Sequence, residues 1–451
     1  MRNVQDAHIA VIGAARSGVA AAILLQQQGA EVFVSDFGTI KEATKAKLTQ
    51  ANIPFEDGGH SSRVENTDFA VVSPGVPTTA PIIQHFLKNG KNVYAEIEVA
   101  SWFADQPIIA ITGSNGKTTV TTWLAHIWET ANIDFSLAGN IGVAFSEKVG
   151  RSNGVHILEV SSFQLDHIDG FKPHISLLLN ITPDHLDRYG YSLDAYAASK
   201  FRITENQTAE DCFIFNFDDP VIKQHVERLQ RQENHPRLWA FSSTTEVPEG
   251  AFVRDNTIIF RFNQQEETLM PVFELGLSGQ HNLQNGLAAA LAARAGEIRN
   301  DAIRESLKTF TGVEHRLELC RVVNGVKYVN DSKATNVNSV WFALDSFNVP
   351  VTLIMGGRDK GNDYSELETL LRDKVHTIIA IGESKNKVEK ALENVVPNFV
   401  KADTMHNAVR AAKKVAKRGE VVLLSPACSS FDMFEDYEHR GKIFKEEVAK
   451  L

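Results

Sequence analysis

The sequence predicts an α/β protein of three domains built on parallel sheets. Three observations lead there. Short apolar runs recur along all 451 residues, and many end in a turn of small or polar residues that opens a helical segment. A helical link at 96–103 and a glycine at Gly312 divide this pattern into 1–95, 96–312 and 313–451. At roughly 100–200 residues per domain, the length suits two to four domains.

The first run, His8–Ile12, reads as a strand, and Gly13, Ala14, Ala15, Arg16, Ser17 and Gly18 follow it. A helix then runs to Leu25, Gly29 stops it, and 32–36 forms a second strand ending in Asp36. This is a Rossmann-like βαβ unit. Its fingerprint is incomplete, because Ala15 stands where the second glycine belongs, so an NAD site is weakly supported. The loop suits a diphosphate, through its N–H groups and the helix dipole. A further strand at 69–72 ends in Ser73, Pro74 and Gly75. Ligands of such sheets bind beyond the carboxyl ends of the strands.

The second domain opens on the apolar run 108–111, followed by Gly113, Ser114, Asn115, Gly116, Lys117, Thr118 and Thr119. A helix begins at Lys117, with apolar residues at Val120, Leu124, Ile127 and Trp128. Strand, glycine turn, Gly-Lys-Thr and helix form a phosphate-cradling P-loop. Backbone N–H groups would surround phosphate oxygens, Lys117 would meet the outer phosphates, and Thr118 would offer a hydroxyl to Mg²⁺. The spacing is short, since only Ser114 and Asn115 separate the two glycines. Glu159, near the end of an apolar strand at 155–160, suits either Mg²⁺ ligation or capping of the next helix. After a strand at 175–181, Asp184, His185 and Asp187 suit a metal site, a carboxylate–histidine pair or plain loop polarity. Lys200 sits on a helix among small residues, and by position alone it reads as a surface lysine. Strands at 213–216 and 257–262 and an alanine-rich helix at 282–295 complete this part.

The third domain alternates strands at 326–329, 351–355, 377–381 and 420–424 with helices at 340–346, 365–374, 384–392 and 406–415. Polar turns close three of these strands: 330–336, 356–361 and 425–432. Such density of charge, amide and hydroxyl groups marks a ligand or a turn.

Bulk properties narrow the classes. Hydrophobic residues make up 43% and charged residues 23%, a globular balance. A net charge of −10 argues against a broad grip on nucleic acid. The chain has no apolar run long enough to span a membrane. The three cysteines, Cys212, Cys320 and Cys428, are widely spaced, which fits a reducing, cytoplasmic setting without a disulfide framework. Neither a nucleophile elbow nor a Cys/His ligand cluster is visible.

Taken together, the motifs resemble the Mur ligase superfamily, whose P-loop has this short spacing. TGSNGKTT at 112–119, LAGNIG at 137–142, LEVSSFQL at 158–165, NITPDHLDR at 180–188, GQHN at 279–282 and His315-Arg316 are similar to its blocks, in order. Within the superfamily, DSKATN at 331–336 and LSPACSSFD at 424–432 are similar to the branch that adds D-glutamate. The resemblance covers all three domains. It implies an N-terminal UDP-binding domain, a central ATPase domain and a C-terminal amino-acid-binding domain. It also implies ATP-dependent joining of D-glutamate to UDP-N-acetylmuramoyl-L-alanine through an acyl phosphate, in peptidoglycan precursor synthesis. Other ligases of the superfamily, a Rossmann oxidoreductase and a non-catalytic P-loop module are the rival readings.

Residue roles follow from the same resemblance. Lys117, Glu159, His185, Lys200 and Lys333 are implied to be catalytic. Thr118 and Glu159 would hold one Mg²⁺, and His185 a second, with Lys200 as a ligand once CO₂ has carbamylated it. ATP would meet 113–119, Asn282, Asn285, Arg316 and Asp331. The UDP-substrate would meet Ala15, Arg16, Ser17, Asp36, Phe37, Ser73, Pro74 and Gly75, with Asn140, Ser161 and Gln164 nearby. D-Glutamate would meet His185, Thr335, Lys360, Ser430, Phe431 and Tyr437. A monomer with small-molecule substrates is expected.

Overall fold

The computed structural model describes residues 2–451. Among these residues the strands form three sheets, distributed over two compact units. One unit runs up to Gly276 and includes Asn282–Phe310; the other comprises Leu277–His281 and Thr311–Leu451.

The first unit holds two sheets. In the first sheet β1 (His8–Ile12), β2 (Glu31–Asp36), β3 (Phe55–Asp57), β4 (Phe69–Val72) and β5 (Val93–Ala95) lie parallel in the order β3-β2-β1-β4-β5. Strand geometry sends alternate residues to opposite faces. Ile9, Val11, Val32, Val34 and Val71 join one apolar layer, and Ala10, Ile12, Phe33, Ala70 and Val72 the other. Both faces are therefore dry, which is why these strands read as unbroken apolar runs. The strand order reverses beside β1, so the turns after β1 and β4 flank the crevice that a doubly wound sheet offers to ligands.

The second sheet contains β6 (Ile108–Thr112), β7 (Phe135–Gly139), β8 (Val155–Glu159), β9 (Ile175–Leu178) and β10 (Cys212–Asn216). It continues through β11 (Arg237–Ser242), β12 (Gly250–Arg254), β13 (Thr257–Phe262) and β14 (Gln265–Pro271), in the order β14-β13-β12-β11-β10-β9-β6-β8-β7. Only β12 to β14 are antiparallel. The neighbours of β6 are β8 and β9, so the turns after β6, β8 and β9 share one end of the sheet. The strand expected over 175–181 stops at Leu178. Beyond it the chain turns over the P-loop, with the Leu179 N–H donating to the Thr112 carbonyl at 3.1 Å.

The second unit carries β15 (Glu318–Val323), β16 (Val326–Asn330), β17 (Val351–Gly356), β18 (Val375–Ile381), β19 (Asn398–Lys401) and β20 (Val421–Leu424). Their order is β15-β16-β20-β17-β18-β19, antiparallel only between β15 and β16. Its two faces again alternate: Leu353, Met355 and Leu423 on one, Ile354, Val422 and Leu424 on the other. The three polar turns singled out in the sequence follow β16, β20 and β17, which are adjacent strands.

Candidate active site

The P-loop is built by β6 and the helix Lys117–Thr130. Gly116 has φ +86° at the helix start, and a Cβ there would stand 2.5 Å from the Asn285 Oδ1. A side chain at this position is excluded twice, by backbone strain and by the close approach of Asn285. Two reciprocal bonds fix the loop from the turn after β9. The Asn115 N–H donates to Asn180 Oδ1 at 2.8 Å, and the Asn180 amide donates back to the Asn115 carbonyl at 3.1 Å. The Ser114 hydroxyl donates to the Thr182 carbonyl at 2.9 Å. The sequence reading passed over Asn180 and Thr182 as individual site residues.

Cations and oxygen donors converge on this loop. The Lys117 ammonium donates to the carbonyls of Gly113 and Ser114, both at 2.8 Å. The Lys200 amine donates to the same Gly113 carbonyl at 2.9 Å. Lys200 is 1% exposed, so the surface lysine expected from its helix position is overturned. The helix Leu193–Phe201 buries the face that carries Tyr196, Ala197, Ser199 and Lys200. Burial first, and the Lys117 charge second, hold the Lys200 pKa well below the ordinary lysine value. Its amine also lies 4.7 Å from the Tyr196 ring centre.

Thr118 donates its hydroxyl to Glu159 Oε2 at 2.6 Å, and the Asn140 amide donates to Glu159 Oε1 at 2.8 Å. Glu159 is buried. It does not cap the following helix; Ser161 does, in a reciprocal box with Gln164. Ser161 and Gln164 are thus engaged with each other, and Gln164 is buried. A hydroxyl and a carboxylate in contact are hard oxygen donors, and this set fits Mg²⁺. His185 adopts φ +51°, a conformation uncommon for a histidine, with its ring 5.1 Å from that of Phe163 and Nε2 3.7 Å from Asp184. Among the described residues, the one His/Cys/Asp/Glu cluster close enough for a metal ion is Glu314, His315 and Glu318. Lys445 bridges both of its glutamates, so part of that cluster's charge is already balanced.

At the first sheet, Asp36 accepts from the Ala14 N–H at 2.7 Å and the Gly38 N–H at 2.8 Å. The loop after β1 therefore turns some of its donors inward. Gly18 is required, since a Cβ would lie 2.0 Å from the Gly13 carbonyl, whereas Ala15 points to open surface. That explains why only the outer glycines remain. Arg16 donates to the Gly142 carbonyl. Ser73 is buried and donates to the Gly13 carbonyl at 2.8 Å, tying the two turns together. Phe37 is exposed. A cavity of about 620 Å³ opens here, with Ala15, Arg16, Asp36, Ile40 and Lys41 in its wall. Arg188 reaches the same region: its guanidinium donates to the carbonyls of Pro74 and Val76 and lies 4.4 Å from the Phe163 ring.

In the second unit, Asp331 is buried at the end of β16 and accepts from the Ser425 hydroxyl at 2.8 Å. Burial pushes its carboxyl up to about 7. The Lys333 ammonium donates to the Tyr437 hydroxyl at 3.3 Å and lies over that ring. Thr335 is half-buried, Ser430 buried, and Lys360 and Phe431 exposed, on the turns after β16, β20 and β17. Asn282 and Asn285 are buried on the helix Gln280–Ala295.

Three family models match the chain: the MurD N-terminal domain over 8–81, the Mur ligase middle domain over 111–293, and the Mur ligase glutamate ligase domain over 315–428. A protein of Salinibacter ruber, named UDP-N-acetylmuramoylalanine–D-glutamate ligase, is 48% identical, covering 99% of this chain and 99% of its own. The chain belongs to the Mur ligase family. A relative of the same name from Christiangramia forsetii is 45% identical over 98% of this Mur ligase and 99% of its own length. Among solved structures, a UDP-N-acetylmuramate-alanine ligase from Thermotoga maritima is similar in fold, with a TM-score of 0.61 at 18% identity over 98% of this chain and 99% of that one.

The sequence reading and the structure agree on where this Mur ligase concentrates polar groups. Residues 113–119, Asn140, Glu159, Asn285 and Lys200 gather at the strand ends of the second sheet. Arg16, Asp36 and Ser73 gather at the first, and Asp331, Lys333 and Tyr437 at the third. Arg188 was not singled out as a site residue. An arginine on a helix or in a loop carries no sequence sign of burial; only the folded contacts give one.

Proposed function

We propose that this Mur ligase joins D-glutamate to UDP-N-acetylmuramoyl-L-alanine at the expense of ATP. The observation that carries the reading is the cluster at 113–118: two lysines on the Gly113 carbonyl, with the Thr118 hydroxyl on Glu159. Such a cluster of N–H and oxygen donors suits phosphate and its Mg²⁺. The names of the near-full-length relatives supply the acceptor and the amine.

A carboxylate is a poor electrophile, so it must be activated. Its oxygen attacks the γ-phosphorus of ATP, and ADP leaves. The amine of D-glutamate then attacks the carbonyl carbon of the acyl phosphate, the nitrogen loses a proton, and phosphate departs from the tetrahedral adduct. Phosphoryl transfer of this kind depends on positioning and charge neutralisation. Lys117 and the loop N–H groups would orient the outer phosphates. Thr118 and Glu159 would hold Mg²⁺, and His185 with Lys200 would hold a second ion. Bound there, the metal supplies positive charge to phosphate oxygens.

The burial and lowered pKa of Lys200 support its carbamylation: a neutral amine adds CO₂ and releases a proton, which leaves an anionic oxygen donor. Residues 1–95 would bind the UDP end through Ala15, Arg16, Ser17, Asp36, Phe37 and Ser73 to Gly75, with Asn140, Ser161 and Gln164 contributing from 96–312. The remainder of 96–312 would hold ATP, with Asn282 and Asn285. Residues 313–451 would supply Arg316 and Asp331 to the nucleotide, Lys333 to charge neutralisation, and Thr335, Lys360, Ser430, Phe431 and Tyr437 to D-glutamate. This Mur ligase would work in the cytoplasm, on small molecules; no helix among the described residues is long and apolar enough to cross a membrane. We further propose a monomer.

Phosphate release tests the reading. Full turnover should require ATP, UDP-N-acetylmuramoyl-L-alanine and D-glutamate together, with L-glutamate and lysine inactive. Turnover with lysine but not D-glutamate would overturn the specificity.

A further inference from the structure

The last helix, Tyr437–Ala449, contributes a buried guanidinium to the second unit. Arg440 is 1% exposed, among the largest fully buried side chains of the chain. Its Nε donates to the Ser332 hydroxyl at 2.9 Å and its Nη2 to the Ser332 carbonyl at 2.7 Å. Its Nη1 donates to the Cys428 carbonyl at 3.0 Å. The Ser332 hydroxyl passes the contact on, donating to the Tyr437 carbonyl at 2.8 Å. The third strand-end turn is close as well, because a Cβ on Gly357 would come within 3.3 Å of Nη1. One side chain therefore contacts or closely approaches the turns after β16, β17 and β20, and Ser332 links it to the start of its own helix.

No ion pair answers its charge. All three bonds go to neutral oxygens, and Cys428, Asp432 and Asp331 act on it through their fields. Burial raises the Asp331 carboxyl to about 7, and one oxygen of Asp432 accepts from the Glu383 N–H at 2.8 Å. A buried cation without a contacting anion is costly unless an anion arrives. Burial lowers its pKa to about 10, so it remains charged at neutral pH. The same turns carry Thr335, Lys360, Ser430 and Phe431, and Tyr437 opens the helix. An amino acid with two carboxylates carries the net negative charge that suits this field.

We propose that Arg440 is the positioning residue of the amino-acid site: it clamps the three strand-end turns in register and leaves its charge to select an acidic amino acid. The proposal rests on the D-glutamate reading above, which wild-type turnover with D-glutamate tests first and separately. Kinetics of the full chain with Arg440→Gln, Arg440→Lys and Ser332→Ala then decide it. Arg440→Gln should raise KM for D-glutamate roughly 30-fold, the scale of losing charge-assisted bonds. Its kcat at saturating D-glutamate, and KM for ATP and for the UDP-substrate, should stay within about threefold. Arg440→Lys, which keeps the charge, should recover most of the KM. Ser332→Ala, a small change that removes the acceptor of Nε, should raise the same KM about fivefold and serves if the glutamine variant does not fold. An unchanged KM for D-glutamate in Ser332→Ala or in a folded Arg440→Gln overturns the proposal. So does a parallel loss in all three KM values and kcat, which would mark a purely structural arginine.

Discussion

Lys200, on a helix beside the second sheet, and Arg440, on a helix beside the third, are each 1% exposed, and each supports strand-end loops by donating to backbone carbonyls. Their chemistry diverges from there. Lys200 lies near Lys117 and within the fields of Asp184, Asp166 and Glu159, and burial holds its pKa well below the ordinary lysine value. A lysine amine that loses its charge becomes a nucleophile. A guanidinium does not deprotonate near neutral pH, and Arg440 keeps a fixed charge. The same burial therefore favours the neutral, nucleophilic form of one cation and leaves the other charged. The difference teaches that side-chain type, more than depth, decides what a buried cation does at a strand end.

Exchange of the two side-chain types breaks or sharpens that contrast most strongly at Lys200. Lys200→Ala and Lys200→Arg should each lower kcat about 10²–10³-fold, the scale of losing a group that stabilises transferring charge. Acetate or bicarbonate should restore part of the activity to the alanine variant, and nothing to the arginine variant, whose side chain still fills the space. Steady-state phosphate release measures both. Full activity in Lys200→Arg would mean that charge alone is needed there, as proposed for Arg440→Lys.

Asp331 gives a smaller effect, read in stability. Its carboxyl titrates near 3.8 in a model chain and is raised to about 7 by burial in the fold. Between those values the native state keeps a proton that the unfolded chain has lost. Its contribution to stability thus falls as pH rises from about 4 to 7 and stays lost above that. Asp331→Asn should flatten that part of the melting-temperature profile, and an unchanged slope would remove the buried acid from the account. Arg188→Ala is the mildest. Loss of its donation to Pro74 and Val76 should raise KM for the UDP-substrate about fivefold, the scale of one hydrogen bond, with KM for D-glutamate unmoved.

What could be read from the sequence follows the physics of burial. Strands dry on both faces, such as His8–Ile12, Ile108–Thr112 and Val351–Gly356, are apolar runs and were legible with their loops. Edge strands were not. Gln265–Pro271 is exposed along its first four residues, and Glu318–Val323 is mostly solvent-facing, so neither has an apolar signature. The P-loop was legible because Gly116 has no substitute beside Asn285. Lys200, Arg188 and Arg440 gain their surroundings from segments distant in the chain. Only the resemblance singled out Lys200 beforehand.

The central claim is that phosphate leaves ATP for a carboxylate and not for water. Labelling both carboxylate oxygens of UDP-N-acetylmuramoyl-L-alanine with ¹⁸O and analysing the released phosphate by mass spectrometry tests it most directly. The acyl phosphate route predicts one labelled oxygen in each phosphate formed with D-glutamate. Phosphate that carries oxygen from solvent, with none from the substrate, would contradict it.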